Sequence, residues 1–138
     1  MAVGFKIDFL FYQIGHGDFL HSFFSTISYH LESEGWGTKY PYLLKHLYNG
    51  RLAWSDVPNA KKELEEVRSR LEYFEPKDIV WDIDDLSKTP PWGDNISSDI
   101  TNLSNYFLTS DGRDLFDVLL KALQDSLSEK TDIEITSL

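Results

Sequence analysis

Cysteine is absent from the 138 residues, which excludes a disulfide framework, thiolate metal ligation and a cysteine nucleophile together. Basic residues are scarce too, 13 against 23 acidic, and the net charge of −10 opposes direct contact with nucleic-acid phosphates or anionic lipid. No long uncharged apolar run occurs. Lys6 and Asp8 interrupt the amino-terminal apolar residues, so neither a signal-peptide core nor a membrane span is expected, and the cytoplasm is the expected compartment. Motifs of catalysis are missing as well: there is no HExxH or HxxxH, no GxSxG elbow and no phosphate-cradling glycine loop. No catalytic residue, metal ligand or cofactor is therefore assigned.

What is present suffices for one packed domain over residues 1–138, because 41% of the residues are apolar and 14% aromatic. Val3, Phe5, Ile7, Phe9 and Phe11 alternate with polar residues, which predicts one half-buried strand ended by Gly15-His16-Gly17. Asp18 then caps a predicted helix carrying Phe19, Leu20, Phe23, Phe24, Ile27 and Leu31, closed by Trp36-Gly37. A short helix follows Tyr40-Pro41 and stops at Asn49-Gly50, and Arg51 to Trp54 fits either a small strand or a loop. Ser55 or Asp56 opens the clearest helix, with Ala60, Leu64, Val67, Leu71 and Phe74 on one face and mixed charges on the other.

Asp78-Ile79-Val80-Trp81-Asp82 is β-branched and aromatic and predicts a second strand, with Trp81 in the core. Ile96, Ile100, Leu103 and Phe107 keep a helical spacing although Asn, Ser and Thr weaken it. After Asp111-Gly112 a strong amphipathic helix runs through Leu115, Leu119 and Leu123, and Asp132 to Thr136 alternates as a last strand. These elements imply an α+β fold, a single-layer, mainly antiparallel sheet packed with several helices, in which the first and last strands are neighbours. Phe5, Ile7, Phe9, Phe23, Phe24, Leu64, Leu71, Leu119 and Leu123 are the expected core. Truncating Phe9 or Phe24 to Ala is expected to cost on the order of 3–5 kcal/mol.

Acidic charge is uneven along the chain. Residues 1–36 carry one basic and four acidic groups, residues 37–81 eight and seven, and residues 82–138 four and twelve. An acidic surface of this kind fits either simple solubility or a basic partner. The stretch Pro90 to Phe116 combines rigid turns, aromatics and small polar residues without a core period, and Trp92 sits between Pro91 and Gly93. Such a ring either caps the core or is presented as an interface anchor. The expected partner-binding residues are Asp82, Asp84, Asp85, Trp92, Asp94, Asp99 and Asp111. His16, His21, His30 and His46 read as hydrogen-bonded structural residues, and Asp82 to Asp85 lack the glycine and terminal glutamate of a calcium loop.

The segments AVGFKIDF, HSFFSTISYHLE, KYPYLLKHLYNGRL, KKELEEVRSRL, IVWDIDD, PPWGDNIS and YFLTSDGRDLFDVLLKAL together resemble the bacterial polymorphic-toxin immunity proteins of the immunity protein 70 family. The resemblance implies a small cytoplasmic antitoxin that binds and neutralises a cognate toxin domain delivered by sibling cells. It brings no catalytic residues and no toxin-contact positions. A basic nuclease, its active site occluded by the acidic surface, is the toxin class that such a charge suits. Two other classes stay open: a small metal-dependent hydrolase using His16 or His21 with Asp82 to Asp85, and a generic acidic interaction module. Convergence of those side chains in one cleft would favour the enzyme, and scattered histidines with an open acidic face would favour the binder. Oligomeric state is not legible.

Overall fold

The chain reverses direction at Asp8-Phe9, where Asp8 takes a left-handed backbone conformation with φ of 53°. In the computed structural model, which describes residues 2–137, this turn splits the expected first strand into a hairpin of β1 (Ala2–Ile7) and β2 (Leu10–His16). Cross-strand partners share a sheet face, so pairing Phe5 with Tyr12 and Ile7 with Leu10 changes the parity of the inward residues on β2. Phe5, Ile7 and Ile14 are buried, whereas Phe9 stands at the hairpin tip, 97% exposed, and Phe11 lies on the outer face against Gly4, partly exposed. The expectation for Phe9 is thus overturned, and its truncation should cost less than about 0.5 kcal/mol. Gly4 is required where it is, because a Cβ there would lie 2.4 Å from the Tyr12 carbonyl oxygen and 2.5 Å from the Phe11 ring.

Helix α1 (Gly17–Leu31) follows directly, and its cap is His16 rather than Asp18, since the imidazole Nδ1 accepts from the Asp18 backbone N–H at 3.2 Å. The helix stops at Leu31, before Trp36-Gly37, with Glu32 as its C-terminal cap. The Glu32 carboxylate is buried and accepts backbone N–H groups of Gly37, Lys39 and Tyr40, which fixes the connection into a π-helical turn over Tyr42–Leu47. A two-residue strand β3 (Arg51–Leu52) settles the open reading of that stretch. Helix α2 (Val57–Leu71) opens with Asp56 at the cap position and Pro58 in its first turn. Helix α3 (Leu115–Glu129) is capped by Asp114, whose carboxylate accepts from the Phe116 and Asp117 N–H groups.

Strand β4 (Ile133–Ser137) completes an antiparallel sheet in the order β2-β1-β4-β3, with the first and last strands adjacent as expected. One face of the sheet carries Phe5, Ile7, Ile14, Leu52 and Ile133 into a hydrophobic cluster shared with all three helices. Lys6, Gln13, Arg51 and Glu134 occupy the other face. Phe23, Phe24, Leu64, Leu71, Leu119 and Leu123 are fully buried in that cluster, as their spacing requires. Arg68 bonds Asp117 at 3.0 Å and ties α2 to α3 at the surface.

Two expected elements between α2 and α3 do not form. Asp78 to Asp82 pairs with no strand, although it runs partly extended after a single 3₁₀ turn at Pro76–Asp78. Residues 95–107 are not helical: the Ser97 hydroxyl accepts the Asp99 N–H, Asn102 accepts the Ser104 N–H, and Asn105 accepts those of Thr101 and Asn102. Short polar side chains have here taken the amide protons that a helix would have used. Among the described residues no helix is long and apolar enough to cross a membrane.

Candidate functional site

The segment from Asp78 to Tyr106 lies against α1, and hydroxyls of that helix do what a neighbouring strand would otherwise do. Thr26 Oγ1 lies 3.1 Å from both the Val80 N–H and the Val80 carbonyl, Ser22 Oγ donates to the same carbonyl at 2.7 Å, and Ser25 Oγ accepts the Ile83 N–H. His30 Nε2 lies 2.6 Å from the Asp78 carbonyl. Val80 is buried, and Trp81 is half-buried beside it rather than in the core of a strand. With its backbone satisfied this way, the segment can be rigid without belonging to the sheet.

Trp92 is pinned from two sides. Its ring meets Trp81 edge-on at 5.4 Å and 87°, leans on Phe19 at 6.4 Å, and donates from Nε1 to the Tyr106 hydroxyl at 2.9 Å. The residue nevertheless stays 38% exposed, so it both closes the core edge and offers a fixed rim to solvent. A shallow apolar pocket of about 320 Å³ opens beside it between Phe19, Ile96, Ile100, Tyr106 and Leu108. A second cleft of about 610 Å³, which shares Ile96 and Tyr106 with this pocket, runs past Ile79, Lys88, Pro90 and Asp94.

The carboxylates expected at the partner face divide into engaged and open groups. Asp82 is half-buried: it accepts the Asp84 backbone N–H at 2.9 Å, meets His21 Nε2 at 3.1 Å and lies 3.6 Å from Lys88. That amide and then the imidazole hold its carboxyl below the usual range. Asp111 sits in a turn bound to β2 through the Ser110 N–H and Ile14 carbonyl, where Thr109 and Arg113 likewise lower it. Asp85 bonds Ser87 but remains exposed, and Asp84, Asp94 and Asp99 are exposed. The geometry thus gathers Asp82 and Asp84 beside His21, leaves Asp85 on Ser87, and sets Asp94 two residues from Trp92.

Of the histidines only His21 joins the aspartates. His16 remains at the start of α1, 3.5 Å from Asp18. His21, Asp82 and Asp84 bring one ligand atom each within 4.8 Å of one another, a set whose nitrogen and oxygen donors could hold a borderline divalent cation. Sequence reasoning missed what surrounds His21. Trp36 lies nearly parallel to its ring at 6.4 Å and 22°, and the Tyr48 hydroxyl meets His21 Nδ1 at 2.8 Å. No local spacing links these residues, and only the fold of the 32–48 connection over α1 brings them together.

The α+β domain thus carries an acidic, loop-built surface fastened to α1 by side-chain hydrogen bonds. The chain belongs to the immunity protein 70 family, whose profile matches residues 5–135. No curated protein and no solved structure matches it.

Proposed function

We propose that the chain is a non-enzymatic antitoxin that binds a cognate toxin domain and covers its active site, and that a basic toxin such as a nuclease is the occupant. Family membership supports an immunity role. The observation that carries the binding surface is Trp92, held rigid by Trp81, Phe19 and Tyr106 yet exposed at its rim, in a loop-built segment where Asp84, Asp85, Asp94 and Asp99 point to solvent. A pre-fixed aromatic anchor within a charged rim is the arrangement from which interface hot spots are built. Occlusion needs no chemistry of its own.

Co-expression with the toxin encoded directly upstream should restore growth, and the two proteins should co-purify. If no toxin lies upstream and the chain protects against no toxic domain encoded nearby, the reading fails. A second reading, a metal-dependent hydrolase, keeps only His21 with Asp82 and Asp84, because His16 is elsewhere. Neutralisation that persists in chelator speaks for the binder.

A further inference from the structure

Five residues, His21, Trp36, Tyr48, Ile83 and Asp84, line a small pocket of about 270 Å³. Three are aromatic rings, one is aliphatic and one, Asp84, is an exposed carboxylate, the one acidic side chain in the lining. Each ring is fixed by a hydrogen bond. Trp36 donates from Nε1 to the Leu44 carbonyl at 2.7 Å, and the buried Glu32 carboxylate holds the backbone on either side of Thr38. Tyr48 meets Trp36 edge-on at 4.9 Å and 71°, with its hydroxyl on His21 Nδ1.

The partners of His21 also fix its tautomer. An ionised Asp82 can only accept, so Nε2 carries a proton toward it, and in the neutral imidazole Nδ1 then accepts from the Tyr48 hydroxyl. A metal ion would have to remove that Nε2 proton and compete with Lys88, which lies 3.6 Å from the second Asp82 oxygen. The arrangement therefore suits an organic cation better than a metal. Aromatic faces attract a cation through their quadrupole, and a carboxylate at the rim supplies its counter-charge. The negative field reaches the pocket wall: after burial, Asp84 and Asp82 are the causes that push the Tyr48 phenol up.

We propose that this pocket is an aromatic cage for an arginine side chain of the partner protein. A planar guanidinium can lie against the Trp36 and Tyr48 rings while donating to Asp84, which an ammonium does less well. The pocket is mostly apolar, matching the methylene stem of that side chain. The identity of the partner rests on the antitoxin reading, and the cage itself does not.

The test is an NMR titration of the free protein, following the Trp36 indole N–H and the His21 ring signals. N-acetyl-arginine amide should shift both saturably, with a dissociation constant of roughly 1–10 mM for a single caged cation. The neutral isostere N-acetyl-citrulline amide should bind at least about fivefold more weakly, and Asp84→Asn should weaken arginine by about fivefold while leaving the spectrum otherwise intact. Equal binding of arginine and citrulline, no saturable shift, or a response to zinc chloride alone overturns the cage. In complex with the upstream toxin, Asp84→Asn should raise the dissociation rate; an unchanged rate overturns the assignment of the cage to the partner. A wild-type chain that protects no cell sinks the antitoxin reading whatever the titration gives.

Discussion

Glu63 shows how one carboxylate can hold a connection in place and make stability depend on pH. Projecting from α2, it accepts the Leu43 N–H at 3.0 Å and the Tyr42 N–H at 3.4 Å, so it caps the π-helical turn from the side. Burial pushes its carboxyl from 4.5 up to about 7, against the pull of those two amides and with the help of nearby Glu32 and Glu66. Because the folded value is the higher one, the native state binds the extra proton. Its stabilisation is complete below pH 4.5 and is lost as pH rises through about 7. The site is only half-enclosed, so solvent screening limits the loss to about 1–2 kcal/mol. Glu63→Gln retains an acceptor without the charge. Its urea midpoint should vary less between pH 5 and pH 8 than that of the wild type, and at pH 8 it should equal or exceed it. Parallel profiles for the two proteins would show that Glu63 is ionised throughout. The mixed-charge face of α2 reads in the sequence as solvated, and nothing local distinguishes Glu63 from its exposed neighbour Glu65.

At the level of elements, α1 carries two buried stripes. Phe23, Phe24 and Ile27 meet the core, and the spacing of such residues made the helix legible. Ser22, Ser25 and Thr26 are equally buried but face Val80 and Ile83, and no apolar spacing marks such hydroxyls as a buried stripe. That is why Ile79-Val80-Trp81 looked like a strand: its composition is right for an extended, half-buried segment, but its hydrogen-bond partner is a helix. The stretch from Ile96 to Phe107 failed differently. Its apolar residues do turn inward, Leu103 and Phe107 completely, while Asn and Ser side chains take the backbone donors. The first strand misled because alternation continues in phase through a two-residue turn, even as the chain folds back on itself. Thr26→Val isolates the hydroxyl contribution at nearly constant shape. It should cost about 1–3 kcal/mol by stranding the Val80 N–H, and hydrogen exchange at that amide should accelerate. A cost below about 0.5 kcal/mol would mean that water or a shifted loop replaces the hydroxyl.

Across the whole molecule, charge and rigidity are distributed differently. The sheet and three helices bury most of the apolar residues, and the acid-rich segment between α2 and α3 adds Leu103, Tyr106 and Phe107 to that core while its acidic residues stay at the surface, fastened to α1 by hydroxyls and to the core edge by Trp92. Of the proposed binding surface, the acidic bias and the isolated tryptophan were legible in sequence, whereas the pocket around His21 was not, since residues 21, 36, 48 and 84 meet only in the folded chain. Net charge and anchor should separate kinetically in a complex with the cognate toxin. Asp94 and Asp99 are exposed and lie outside the arginine cage, so reversing both to Lys probes long-range attraction alone. The association rate should fall about threefold to tenfold at low salt, with a flatter dependence on ionic strength and little change in dissociation. Trp92→Ala should leave association nearly untouched and raise the dissociation rate by about thirtyfold, the size expected of a central aromatic anchor. Near-ultraviolet circular dichroism and the urea midpoint check that each variant stays folded. If both fold and both bind with wild-type rates across ionic strengths, the partner docks elsewhere, and the mixed-charge outer face of α2 is the next surface to reverse.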